Sequence, residues 1–314
     1  MPLISVVIPA FNARGTVEGA IQSALAQSEK DLEVIVVDDA SSDSTSEIAK
    51  SFPDPRLRLI RNHENLGAGA TRDRAIAAAK GKWLAVLDAD DYWHPRRLEV
   101  LLAAAGEDTD VMVFDDILNC HSTKRGLEPW QRMHGAFAFG AKNAGCIDVP
   151  PARWANARQF LIKPLIPSAM LRSSGVRHST LSFGEDTEFF LRLLAAGMKM
   201  RYVPEAYYYY RITPGSLSAN PARSRLMRDM LVQALPLFAN DLDMVIALKR
   251  KISYRDFTMS IKAGNASTAI QQALKSPWLV GEFMARCFGE LIYHSHRISH
   301  HGSRRGNGRP IEND

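Results

Sequence analysis

The chain has 314 residues, 46% of them hydrophobic and 23% charged, with a formal net charge of +5. Those fractions exclude a disordered or collagen-like chain, and the length suits one large domain with an appendage or two small domains. The charge is uneven: residues 221–314 carry 14 Lys and Arg against 8 Asp and Glu, a balance of +6, whereas residues 1–220 carry 25 against 26. The basic back third is either a docking surface for something anionic or a solvated helical face.

Three cysteines (Cys120, Cys146 and Cys287) are too few and too scattered for a disulfide framework or a zinc site, which fits a reducing compartment. The apolar run Val6-Val7-Ile8 near the start follows no basic stretch and stops at Pro9, so it reads as a strand and not as a signal peptide. No run of 18 apolar residues occurs; no spanning helix is expected, and the expected location is cytoplasmic.

Taken in chain order, runs rich in Val, Ile and Leu predict strands at Ile4–Ile8, Glu33–Val37, Leu57–Ile60, Trp83–Leu87 and Val111–Phe114. Between them, helical period marks Thr16–Gln27, where Val17, Ala20, Ile21, Ala24 and Leu25 share a face. Ser44 and Glu47 have capping-box spacing, Ala70–Lys80 predicts a helix stopped in the left-handed region at Gly81, and Pro95 opens a helix over Arg96–Ala105. Alternation at this spacing predicts an α/β fold with parallel pairing and ligands beyond the carboxyl ends of the strands.

Residues 116–165, with scattered Gly, Pro and aromatics, predict a long loop system or lid. A helix over 187–194 and a strand over Met200–Arg211 follow, then helices from Ala222 to about Tyr293 and a disordered tail.

The sharpest chemical signal is Leu87-Asp88-Ala89-Asp90-Asp91. In extended chain Asp88 and Asp90 point the same way, and carboxylates that close repel unless a cation lies between them. Hard oxygen ligands select Mg²⁺ or Mn²⁺, whose shell substrate phosphates usually complete. A second acidic turn, Asp38-Asp39, follows the second strand, and helix capping accounts for Ser42 to Ser44 but not for these two acids. Gly67-x-Gly69 lacks the third glycine of a dinucleotide fingerprint, since Arg72 stands there; with Arg72 it still offers an anion site at a helix start. Glu185-Asp186 reads by itself as favourable acid placement at a helix N-terminus. His94, His121, His134 and His178 show no metal-ligand spacing and read as surface or loop residues. For the isolated aromatics Trp130 and Trp154, stacking on a sugar and core packing are equal readings.

Together these pieces resemble the family 2 glycosyltransferases with the GT-A fold, which are inverting and use nucleotide sugars. The resemblance rests on Ser5-Val6-Val7-Ile8-Pro9-Ala10-Phe11-Asn12, Val36-Val37-Asp38-Asp39-Ala40-Ser41, Asn65-Leu66-Gly67 with Thr71-Arg72-Asp73, Leu87–Asp91, and Gly184-Glu185-Asp186. These occur in the family's order over roughly residues 3–215. It implies a nucleotide site of Pro9, Phe11, Asn12, Asp39, Arg72, Asp88, Tyr210 and Arg211, with Asp39 reading uracil. It implies Asp88 and Asp90 at the sugar and metal, Asp91 as an alternative ligand, and Asp186 as catalytic base. It also implies acceptor contacts in the region of Trp130, Trp154 and Lys163. Asp73 stands where the family usually has Asn, and Thr213 where many members have His.

The expectation is therefore a GT-A catalytic domain over 1–220 (nucleotide half 1–115, acceptor half 116–220), a helical extension over 221–293 and a disordered tail over 294–314. The expected reaction is metal-dependent, inverting transfer from a UDP-sugar to a glycan or lipid-linked acceptor of surface-polysaccharide synthesis, with Mn²⁺ or Mg²⁺. The basic region 221–314 is expected to dock on an anionic inner-membrane surface and not on nucleic acid. A nucleotidyltransferase and a non-catalytic assembly scaffold are the alternatives.

Overall fold

A computed structural model describes residues 2–123, 126–133, 139, 145–157, 161–181, 183–212 and 222–284. The expected disordered tail, Thr213 and His134 lie outside the described residues, as does part of the expected lid.

Four strands at the start, β1 (Ile4–Ala10), β2 (Leu32–Asp38), β3 (Leu57–Arg61) and β4 (Trp83–Val86), alternate with α1 (Val17–Leu25), α2 (Thr45–Lys50) and α3 (Ala68–Ala78). β1 pairs in parallel with β2 and β4, and β2 with β3. The chain continues through β5 (Tyr92–Trp93), α4 (Arg97–Ala105), β6 (Val111–Thr123), β7 (Gly126–Met133), β8 (Ile147–Asp148) and α5 (Pro151–Asn156). β9 (Leu165–Pro167), α6 (Ser168–Ser174), α7 (Glu185–Ala195) and β10 (Lys199–Arg211) follow. The ten strands of the described residues join one mixed sheet of order β3-β2-β1-β4-β9-β6-β10-β5, with β7 on β6 and β8 on β10.

β1 and β2 are buried almost throughout because both faces are covered. Ile4, Val6 and Ile8 enter a core with Ile21 of α1 and Leu98 and Leu101 of α4. The alternate residues turn to the other face, where the Ser5 hydroxyl accepts from the N–H groups of Lys80 and Gly81 just after α3 and donates to Glu33.

Two expectations change here. Gly81 is no left-handed helix stop: a Cβ there would lie 2.4 Å from the Ser5 nitrogen, so its role is to let this strand approach β1. Residues 116–133 are not irregular over the described part, because β6 runs on to Thr123 and pairs antiparallel with β7. Polar residues such as Asp115, Asp116 and Asn119 hid the strand from an apolar-run reading, and each is buried through partners that only the fold supplies.

By internal contacts the chain divides into two compact units, 1–251 and 252–314. The first unit therefore also holds α8 (Arg223–Ala234), a short 3₁₀ turn and the start of α9 (Leu242–Lys262), beyond the expected boundary at 220. In the second unit Tyr254, Phe257, Ala269 and Leu279 form a small core, and α10 (Ala266–Lys275) is capped by the Asn265 side chain. The C-terminal region is helical over the described residues, and none of its helices is long and apolar enough to cross a membrane.

Candidate active site

The carboxyl ends of β2 and β4 put both acidic turns along one edge of the parallel half of the sheet. The β2 turn is satisfied from within. Asp38, fully buried, accepts from the Ser41 N–H and the Ser46 hydroxyl and pairs with Arg61. Asp39 accepts from the Asn62 amide at 2.6 Å and from the N–H groups of Leu66 and Gly67, each at 2.9 Å. The anion at the start of α3 is thus Asp39 itself, and Gly67, at φ +83°, supplies the turn that aims those N–H groups. Asp39 thereby organises the 62–67 turn, its Oδ1 taking two of these bonds and its Oδ2 one. Asn12 ties this edge to β1 by accepting from the Ser42 N–H, while Phe11 stands 52% exposed beside it and Pro9 is half-buried. Ser44 makes no side-chain cap on α2; Asp43 takes the Thr45 N–H instead.

The β4 turn is different. Asp88 to Asp91 is a tight turn, closed by the Asp91 N–H on the Asp88 carbonyl, and not the extended chain expected from the Asp-x-Asp spacing. Asp88 meets Arg72 of α3 at 3.1 Å and Lys163 at 2.6 Å. The same two cations reach Asp186 in the first turn of α7, Arg72 at 2.8 Å and Lys163 at 3.1 Å, and Arg72 also pairs with Glu185 at 2.9 Å. Carboxylates from β4 and α7, about a hundred residues apart in sequence, therefore share two buried cations.

Burial alone would raise the Asp186 pKa, but the charges of Arg72 and Lys163 outweigh it and hold the carboxyl below its usual range. Asp88 likewise loses to burial and gains more from Lys163 and Arg72, ending low. Both cations are shifted up: burial opposes their charge, yet the surrounding carboxylates prevail. Asp90 goes the other way, raised by burial and by Asp88.

Asp91 is corrected. Its carboxylate accepts from the Tyr208 hydroxyl and the Arg211 N–H, both at 2.7 Å, and the residue is 1% exposed. Burial and the charges of Asp88 and Asp90 lift its pKa well above the usual value, and both its oxygens are engaged by these donors. Arg211 straps this turn, donating to the Asp90 carbonyl at 2.7 Å and to Ser122 at 2.6 Å. Tyr210 stands half-buried next to it.

Among the described residues no group of three or more His, Cys, Asp or Glu side chains forms a ready metal cage. What the turn offers is Asp90, a half-buried hard oxygen donor that burial and Asp88 leave short of positive charge. That suits a cation held by one or two carboxylates and completed by phosphate oxygens.

Lys163, expected as an acceptor contact, bridges Asp88 and Asp186, and His178, expected at the surface or in a loop, has a buried side chain. Lys163, 5% exposed, had as its only signal a lone cation before the buried run Leu165–Pro167. The His178 side chain is 3% exposed, held between Asp73 and Asp186. Trp154 is fully buried in core packing, and the side chain of Trp130 falls outside the described set. Asp186 stands where expected, at the head of a helix anchored by Phe189, Phe190, Leu191, Leu193 and Leu194.

Comparison with known proteins now decides the family. The profile described as Glycosyl transferase family 2 matches residues 5–166, more than half of the chain. The chain belongs to this family. Among its relatives is the succinoglycan biosynthesis protein ExoO of Rhizobium meliloti (strain 1021), 32% identical over 219 residues, 69% of this chain. This chain spans only 63% of the length of that relative. A relative from Escherichia coli, UDP-Glc:alpha-D-GlcNAc-diphosphoundecaprenol beta-1,3-glucosyltransferase WfaP, is 27% identical over 82% of this chain and 98% of its own length. Among solved structures, S. aureus TarS 1–349 in complex with UDP-GlcNAc superposes with a TM-score of 0.63 at 20% identity, covering 82% of this chain and 73% of that one. The mixed sheet with flanking helices is accordingly the GT-A fold.

Proposed function

We propose that this member of glycosyl transferase family 2 is an inverting, metal-dependent transferase. It moves a sugar from a UDP-sugar to a hydroxyl of a glycan or lipid-linked acceptor in surface-polysaccharide synthesis. One observation carries the reading: Asp88 and Asp186, from opposite ends of the catalytic fold, share the buried pair Arg72 and Lys163. A cleft that holds two cations against two carboxylates is charged to exchange partners with a diphosphate. Arg72 supports this further, because its Nε is buried and finds no hydrogen-bond partner among the described residues. The relatives' names support the donor and acceptor classes, with UDP-Glc and a diphosphoundecaprenol in one and UDP-GlcNAc bound in a related fold.

In this reading the exposed Phe11 and half-buried Pro9 receive the base beside Asp39 and Asn12. Arg72 and Lys163 turn to the diphosphate, with Tyr210 and Arg211 bordering it. Asp90, with Asp88, would hold Mn²⁺ or Mg²⁺, which as a Lewis acid neutralises charge on the departing diphosphate. Asp186, fixed at the head of α7 and kept ionised, draws the proton from the acceptor hydroxyl. A single base facing the leaving group gives inversion; retention needs a second, nucleophilic carboxylate.

The test is Asp186→Asn, assayed against UDP-glucose, UDP-galactose and UDP-N-acetylglucosamine. It should bind UDP with Mn²⁺ like the wild type and lose turnover by about 10²–10⁴-fold. Near-normal turnover would remove Asp186 as base. Wild-type protein that binds these donors without cleaving them would favour the scaffold reading. Residues 221–314, with their +6 balance, would dock on anionic lipid; equal co-sedimentation with neutral and anionic vesicles would rule this out.

A further inference from the structure

We infer that His178, held by Asp73, is a positioning residue for Asp186 and receives through Nε2 the proton that Asp186 draws from the acceptor. The inference rests on the reading of Asp186 as base, and the arrangement itself stands on geometry. His178 Nδ1 lies 2.7 Å from Asp73 Oδ1, and the Asp73 carboxylate also accepts from the His178 backbone N–H at 3.0 and 3.2 Å. The ring stacks flat on Phe189, centroids 4.0 Å apart and planes 3° apart, so it cannot turn freely. Gly69 permits this closeness: a Cβ there would come within 3.0 Å of His178 Cβ. Phe189 lies three residues after Asp186, on the same side of α7, so one helix carries both the base and the platform of its neighbour.

An acceptor carboxylate at Nδ1 fixes the proton there, which leaves Nε2 bare in the neutral ring. That nitrogen lies 3.9 Å from Asp186 Oδ1. The gap is about 1 Å longer than a hydrogen bond, and catalytic contacts of this kind tighten when substrate binds. The other charges facing this pair are Arg72 on α3, Glu185 on α7 and Lys163 before β9. In the reading above Arg72 and Lys163 turn to the diphosphate, which leaves His178 as the group beside Asp186 to take its proton onward. In the transfer the acceptor O–H bond breaks and its oxygen bonds the anomeric carbon. The bond from that carbon to the diphosphate oxygen breaks, its electron pair leaving with the diphosphate. The proton passes to Asp186 and on to Nε2, and the imidazolium faces the Asp73 carboxylate.

The test uses the full chain with ¹⁵N-labelled histidine and the variants His178→Phe, Asp73→Asn and Asp186→Asn. His178→Phe keeps the stacked ring and removes both nitrogens. Its melting curve reports whether it folds, and Asp73→Asn, which removes only a charge, provides a second perturbation. The expected neutral tautomer of His178 carries its proton on Nδ1, and its resonances move in both Asp variants, readings that need no substrate. His178→Phe should lower kcat by about 10- to 100-fold with donor KM unchanged. Its residual rate should climb more steeply with pH, and the change should add almost nothing on top of Asp186→Asn. A neutral ring protonated on Nε2, or a His178→Phe enzyme with wild-type kcat and pH profile while Asp186→Asn is inactive, would overturn the inference. Normal turnover by Asp186→Asn would bring down the base assignment, and the relay with it.

Discussion

The turns after β2 and β4 carry similar acid pairs on one sheet edge, yet they are satisfied in opposite ways. Asp39 is bound by short neutral donors, two of them backbone N–H groups of a neighbouring turn. Asp88 is bound by the tips of two long side chains, Arg72 and Lys163, that arrive from different elements. Backbone donors cannot leave without unfolding the turn, whereas a guanidinium and an ammonium can swing to a stronger anion at little conformational cost. The first turn is scaffold; the second is poised to exchange. Asp91, though part of the second turn, belongs with the first kind, since Tyr208 and the Arg211 N–H hold it.

The sharpest way to break this contrast is Lys163→Met. Removing a buried cation leaves Asp88 and Asp186 undercompensated and should cost about 3 kcal/mol in urea unfolding. UDP with Mn²⁺ should bind more weakly in calorimetry. Asp39→Ala should cost less, about 2 kcal/mol, by stranding the Leu66 and Gly67 N–H groups. That cost should persist at high salt, because neutral donors are not screened. If salt abolished it, the Asp39 turn would not be the fixed one.

Acid should separate the two classes again. Asp88 and Asp186 have lowered carboxyl pKa values in the fold, so their contribution is fully present above the unfolded value near about 4 and is lost as pH falls through the folded one. Asp90 and Asp91 are raised, so their contribution is present at low pH and lost as pH rises through the folded value. Thermal melts should therefore show stability rising as pH falls from neutral towards the ordinary carboxylate range, then collapsing below about 4. The smallest effect is Asp90→Asn, which should melt slightly higher than the wild type at neutral pH, with a flatter profile on mild acidification, while losing metal-dependent UDP binding. A variant that melts lower would mean that Asp90 is a structural acid like Asp91.

The parallel half of the sheet was readable in the sequence because residues such as Val6, Val34 and Val36 lie in strands covered on both faces, which leaves an unbroken apolar run. Asp186 was readable as a helix-start acid, since Phe189 to Leu194 announce the buried side of α7. The β6–β7 hairpin was not, because its strands interleave polar residues whose partners are distant in sequence.

What the sequence determined by itself is the set of strand ends on which the acids sit and the order of the motifs, since both follow from local apolar patterning. What only the tertiary structure decided is which acid answers to which donor. Lys163 lies 75 residues from Asp88, and His178 lies 105 residues from Asp73. No local spacing encodes a contact of that range; it arises when separate strands and helices close around one buried cleft, where an unpaired charge is too costly to leave.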